Sequence, residues 1–273
     1  MSLLTTDSIG ALISEAPRSH LDMLEVFSEI ESTNSYLLDQ PCPPPGRYRV
    51  AVADHQTAGR GRMNRSWLSP PSSGLCMSMA FTFANMPENF PSLSLAIGIG
   101  IAQALEKLGV RGIGVKWPND IVSRDGKLGG ILSEVVPAKV GGVTVVVGIG
   151  LNVDFKNIDA GAAISSRLGR AVDLASCCDK LPSRVVIAAT LIECLFETMV
   201  RFEASGFTPF HETWLKYDWL RGQEVTVESP AGLGAGIADG VDVDGALLVN
   251  TEGSRRRFTS GSVTLGRRSG EHP

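Results

Sequence analysis

The chain has 273 residues, 43% of them hydrophobic and 20% charged, a balance that supports a packed core and excludes a disordered polymer. Lys and Arg number 25 against 29 Asp and Glu, and the formal charge of −4 excludes a protein that coats nucleic acid over its whole surface. The five cysteines are odd in number and lack Cys-x-x-Cys spacing, and the four histidines are scattered, so neither a disulfide framework nor a zinc site is expected. No signal peptide is evident, and no apolar run approaches the roughly 18–20 residues that span a bilayer. These features point to a cytoplasmic protein.

Residues 1 to about 24 carry a weak helical pattern at Ile9, Leu12 and Ile13, too short for a DNA-reading domain. Leu24–Phe27 predicts a short strand. Ser32 or Thr33 then caps a helix starting near Asn34, through a hydroxyl that accepts from a first-turn N–H. Either they only cap, or the same small polar groups also face a polar ligand at the helix start. Residues 40–46, rich in proline, read as a surface connector, and Arg49–Ala53 as a strand.

That strand runs into Asp54-His55-Gln56-Thr57-Ala58-Gly59-Arg60-Gly61-Arg62-Met63-Asn64-Arg65-Ser66-Trp67, where three arginines and two glycines fall within seven residues. Glycine permits close backbone approach, and guanidinium supplies permanent planar donors for phosphate and carboxylate. Two readings stand: a solvated basic turn or nucleic-acid patch, or a loop that holds a small polyanion.

Further on, Leu75–Phe83 predicts a strand and Ser92–Leu108 an apolar helix ending at Gly109. Gly112–Lys116 leads into Trp117-Pro118-Asn119-Asp120, a turn bearing an amide and a carboxylate. Arg124-Asp125-Gly126 is the strongest hairpin signal, and it puts Lys127 at the start of the returning strand, as an edge charge or a ligand group. Val143–Val147 predicts a buried strand that ends in Gly148-Ile149-Gly150-Leu151-Asn152, and residues 154–170 a loop. A long amphipathic helix follows Ser183 to about Ser205, a second spans 208–217, and short strands separated by Gly and Asp turns over 221–266 outline a small β-barrel.

With the Arg-Gly loop, Lys116–Asp120, Lys127-Leu128-Gly129-Gly130-Ile131-Leu132, Gly148–Asn152 and the upstream Glu31-Ser32-Thr33-Asn34 in one order, the chain resembles the biotin protein ligases from about residue 26 to 266. The resemblance implies an α+β fold: a mixed central sheet packed with helices, like that of class II aminoacyl-tRNA synthetases, then an SH3-like β-barrel. It divides the chain into an extension (1–25), a catalytic domain (26–220) and the barrel (221–267). It implies that biotin and Mg-ATP give biotinoyl-5′-AMP, which then modifies a lysine of a biotin carboxyl carrier domain. By the family pattern Ser32, Thr33, Asn34, Gln56, Gly59, Arg60, Gly61, Arg62 and Lys127 would hold biotin. Arg62, Arg65, Trp67, Lys116, Asn119 and Asn152 would hold ATP and the adenylate, and Arg62, Lys127 and Asp120 would serve catalysis. No metal ligands are assigned.

The chemistry asks for these types in its own right, because a carboxylate attacking a triphosphate needs fixed cations to offset repulsion. Ser165-Ser166-Arg167-Leu168 departs from a commoner Ala-Thr-Ser-Leu, and no DNA-binding domain of the repressor-ligase kind is expected. A homodimer is possible. The alternatives are a lipoate or octanoyl transferase, which has a different arginine-rich motif, and a non-catalytic binding protein.

Overall fold

Along the strand Gly74–Phe83 the side chains alternate between two unlike environments, and this alternation organises the molecule. Leu75, Met77, Met79, Phe81 and Phe83 enter the main hydrophobic core, while Ala80 belongs to a separate, smaller cluster with Leu37, Ala51 and Val146. Successive strand residues face opposite sides of a sheet, so one face is bulky and the other is lined by small residues. The computed structural model describes residues 4–123, 126–137, 142–156, 170–230 and 232–266.

Seven strands form the main sheet: β1 (Leu21–Ile30), β2 (Tyr48–Gln56), β3 (Gly74–Phe83), β4 (Gly114–Lys116), β5 (Asp120–Ser123), β6 (Gly126–Pro137) and β7 (Val143–Asn152). Their order is β1-β2-β3-β7-β6-β5-β4, with β1 and β2 parallel and the other neighbours antiparallel. Two short helices, α1 (Thr6–Gly10) and α2 (Glu15–Ser19), precede β1 and bury Ile9 and Pro17. The next helix, α3 (Thr33–Asp39), sets Leu37 on the small-residue face. On the bulky face lie α4 (Leu93–Lys107) and α5 (Arg184–Ser205), followed by α6 (Thr208–Tyr217).

A second sheet of five antiparallel strands closes the chain: β8 (Glu224–Ser229), β9 (Gly232–Val241), β10 (Leu247–Thr251), β11 (Ser254–Phe258) and β12 (Ser262–Leu265). In the order β11-β10-β9-β8-β12, β11 and β12 are its edges. Its buried Val225, Val227, Leu247 and Phe258 join the main core, and Trp117 Nε1 donates to the Gly245 carbonyl at 3.0 Å, so the sheet is anchored beside the Trp117–Asp120 turn.

The predicted elements appear with longer strands than the sequence marks. The first strand begins at Leu21, across the expected end of the extension, and β2 continues through Gln56. Gly148–Asn152 is strand rather than strand end. Polar and glycine residues blunt a sequence pattern, but the paired neighbours supply the hydrogen bonds regardless. The hairpin between β5 and β6 is present, although Arg124 and Asp125 of its turn, and Ser165–Leu168, lie outside the described residues.

Candidate active site

The small-residue face holds a cleft of about 550 Å³ between the main sheet, the Arg-Gly loop and the second sheet. Its two ends differ in chemistry.

One end is neutral and tied together. Ser32 caps α3 by accepting from Ser35 N–H at 3.4 Å, and it also lines the cleft, so capping and lining coincide. Gln56 Oε1 accepts from Thr33 N–H at 2.8 Å. The Thr33 and Ser78 hydroxyls are 2.7 Å apart, and Ser78 donates to Asn34 Oδ1 at 2.6 Å. Asn34 Nδ2 in turn donates to Glu134 Oε2 at 2.9 Å. Thr33, Asn34 and Ser78 are buried, and burial of such groups requires partners like these. Opposite Ser78 stands Gly148, where a Cβ would come within 2.3 Å of Asn34 Oδ1. Any side chain there would break the network.

The other end is charged. Lys127 Nζ lies 2.6 Å from Asp120 Oδ1 and 5.8 Å from the centre of the Trp67 ring. Arg62 Nη1 donates to Asn119 Oδ1 at 3.0 Å, and Asn119 Nδ2 is fixed by the Ile131 carbonyl at 2.8 Å. Burial lowers the Arg62 guanidinium from its usual range, and Asp120 partly restores it. Lys116 is lowered mainly by burial, opposed by Asp120 and reinforced by Lys127. Burial penalises the charged form, so these cations are poised to gain from an incoming anion.

The Arg-Gly loop is a narrow antiparallel excursion. Trp67 N–H donates to the Gly59 carbonyl at 2.8 Å and Gly61 N–H to the Arg65 carbonyl at 2.7 Å. Met63 and Asn64 at its tip take left-handed φ values of 55° and 57°, a conformation the surroundings must hold. Arg60 Nη2 reaches Glu134 Oε2 at 2.7 Å and so latches the loop to β6. The Trp67 ring lies against Gly150, where a Cβ would stand 2.3 Å from the ring.

Ser32, Thr33, Asn34, Gln56, Arg60, Gly61, Arg62, Arg65, Trp67, Lys116, Asn119, Asp120 and Lys127 all line this cleft. Two expected residues do not. A Cβ at Gly59 would be 2.5 Å from the Trp67 carbonyl oxygen, so this glycine shapes the loop stem. Asn152 stands behind the cleft, its Nδ2 donating to the Lys127 carbonyl at 3.2 Å and the Val172 carbonyl at 3.0 Å. Lys127 is also no edge charge. Its N–H donates to the Arg170 carbonyl at 2.9 Å and its carbonyl accepts from Val172 N–H at 3.0 Å, on the side opposite its β5 neighbour Val122.

Sequence reasoning missed Ser78, Glu134 and Glu228. Ser78 had a signal, one of two hydroxyls with Thr82 in an otherwise apolar strand; Glu134 and Glu228 had none. Among the described residues no group of three or more His, Cys, Asp and Glu could hold a metal, and no helix is long and apolar enough to cross a membrane.

Fold and cleft together define a protein that binds an anionic ligand of small-molecule size between a mixed sheet and a small β-sheet domain. Residues 26–154 match the Biotin/lipoate A/B protein ligase family, and residues 221–266 match the Biotin protein ligase C terminal domain. The bifunctional ligase/repressor BirA of Salmonella typhimurium is 33% identical over 269 residues, covering 95% of this chain and 80% of that protein. A biotin--[acetyl-CoA-carboxylase] ligase of Mycobacterium tuberculosis is 30% identical over 88% of each chain. The structure of the Aquifex aeolicus biotin protein ligase in complex with biotin and ATP has a TM-score of 0.75 and 29% identity, and covers 90% of this chain and 99% of that one. The chain belongs to the biotin protein ligase family.

Proposed function

We propose that this chain joins biotin to ATP as biotinoyl-5′-AMP and then passes the biotinoyl group to a lysine of a carrier domain of a biotin-dependent carboxylase. The observation that carries this reading is the convergence of Arg62 and Lys127 on one cleft whose other end is a neutral hydrogen-bonding pocket.

A ring bearing N–H donors and a carbonyl suits the pocket of Ser32, Thr33, Asn34 and Gln56, with Arg60 and Gly61 of the loop folded over it. The acid's carboxylate would then reach Lys127, which neutralises it as it attacks the α-phosphate and pyrophosphate leaves. Arg62 stabilises charge on the phosphoryl oxygens. Lys116 and Asn119 face the nucleotide, and Trp67 and Arg65 close the loop against water, which would otherwise hydrolyse the anhydride. Gly59 and Asn152 act through the groups they hold, the loop stem and the Lys127 backbone. In the second step the lysine amine attacks the biotinoyl carbonyl, AMP departs and an amide remains. Asp120, paired with Lys127, keeps that ammonium oriented. Mg²⁺ would arrive with ATP as part of the substrate, and a site with one carboxylate beside substrate phosphates suits it, since Mg²⁺ needs no all-protein cage.

Mass spectrometry after incubation with ATP and either biotin or lipoate tests this. The biotin adenylate is expected and the lipoate adenylate is not; transfer to a carrier domain should require its target lysine. We further propose that residues 26–220 and 221–267 act as catalytic and accessory units, that the protein works in the cytoplasm, and that two copies associate through the β1 edge of the main sheet.

A further inference from the structure

The cleft carries more positive charge than its second reaction wants. Its lining includes Arg60, Arg62, Arg65, Lys116 and Lys127, against Asp120 and Glu228 as the carboxylates. These cations suit a triphosphate. Once pyrophosphate has left, the arriving nucleophile is a lysine, an ammonium at neutral pH, and like charges repel it. Asp120 cannot receive it freely, because its Oδ1 is 2.6 Å from Lys127 Nζ, and it also offsets the half-buried Arg62 and Lys116. Glu134 is likewise engaged, with Arg60 at 2.7 Å and Asn34 at 2.9 Å.

Glu228 differs from both. It is exposed, it lines the cleft from β8 of the second sheet, and its carboxylate makes no hydrogen bond or ion pair among the described residues. Its cross-strand neighbours are Ser262 on β12 and Leu233 on β9. Ser262 and Thr264 line the cleft beside it, while Leu233 is 68% exposed, a large apolar side chain open to solvent across the strand pair from Glu228. An uncommitted carboxylate with an exposed apolar neighbour is complementary to a protein segment that presents a lysine among apolar side chains.

We propose that Glu228 receives the ε-ammonium of the acceptor lysine at the cleft mouth, with Leu233 as the adjoining contact for the acceptor protein. This rests on the ligase reading above. Glu228 is a positioning residue: it brings the ammonium past the cations, and the attack on the biotinoyl carbonyl follows once the amine has lost its proton to solvent.

The test compares two nucleophiles against enzyme-bound biotinoyl-AMP, a carrier domain with its lysine and hydroxylamine, which is small and neutral. In Glu228→Gln the ratio of kcat/KM for the carrier to that for hydroxylamine should fall roughly tenfold at low salt, through KM rather than kcat. The deficit should shrink as salt screens the attraction. Glu228→Lys should lose more, Glu228→Asp should retain most of the ratio, and Leu233→Asp should lower it as well. A ratio within about twofold of wild type in both Glu228→Gln and Glu228→Lys would overturn the proposal, as would a loss confined to adenylate formation and relieved by added Mg²⁺. If the wild-type chain makes no biotin adenylate, the ligase reading itself fails and this proposal falls with it; adenylate with an unchanged ratio removes this proposal alone.

Discussion

The two ends of the cleft are built on opposite principles. At the neutral end Thr33, Ser78, Asn34 and Gln56 satisfy one another in a buried chain of hydrogen bonds, so the pocket is stable before any ligand arrives. At the charged end Arg62 and Lys116 are held partly desolvated with Asp120 as their shared counter-charge. The first arrangement contributes to the fold and to recognition. The second costs stability and is repaid only when phosphate enters. The ends should therefore respond differently to substitution.

The largest effect is expected at Lys127. Lys127→Ala should lower adenylate formation about 10²–10³-fold, the scale of losing one fixed electrostatic stabiliser. Its thermal midpoint should stay within about 2 °C of wild type, because Asp120 is left partly exposed rather than buried. Pyrophosphate release and a melting curve read both; a normal rate would break the contrast.

Asn34→Ala tests the neutral end. It leaves Ser78 with Thr33 as its one remaining side-chain partner and removes a partner of Glu134, which should cost about 1–3 kcal/mol and lower the midpoint by roughly 2–4 °C per kcal/mol. The KM for biotin should rise with it. If stability is unaffected, the pocket is not the prebuilt network described above.

A smaller, pH-dependent effect is expected at Lys116. Burial first, and then Lys127, lower its ammonium below the usual 10.5, against the pull of Asp120. A cation depressed in the folded state destabilises the fold while charged, so this penalty is present at low pH. It lifts as pH rises through the folded value, with no further change above the unfolded value. Binding runs the other way: the KM for ATP should climb over the same alkaline window as the charge is lost. Lys116→Arg should flatten that climb in an initial-rate series.

The least is expected at the loop latch. The Arg60–Glu134 pair is 41% and 27% exposed, and such pairs contribute about 0.2–1 kcal/mol. Glu134→Gln keeps an acceptor for Asn34, and should speed biotin dissociation by less than about fivefold in a stopped-flow chase. A larger change would move the latch from the rim of the site into its core.

Much of the site was legible in the chain. The Arg-Gly loop, Lys116–Asp120, Lys127 and Ser32–Asn34 carry residue types so specific to anion and polar-ligand binding that their order alone named the family. Leu75–Phe83 was also legible as a strand, although its two unlike faces emerged only from the packing. What stayed hidden was contact at long range. Nothing local distinguishes Asn152, which supports Lys127 from 25 residues away, from a residue touching nucleotide. Lys127 looked like an edge charge until residues 170–172 were seen to flank its backbone.

By itself, then, the sequence determined the elements, the family and the cations, because propensity, periodicity and short motifs are local properties. Only the tertiary structure decided which carboxylates those cations occupy. Asp120 and Glu134 are taken and Glu228, contributed by a sheet that folds back from about 100 residues downstream, is left open. Pairing of charges depends on distances in space, and no local pattern in a chain encodes those.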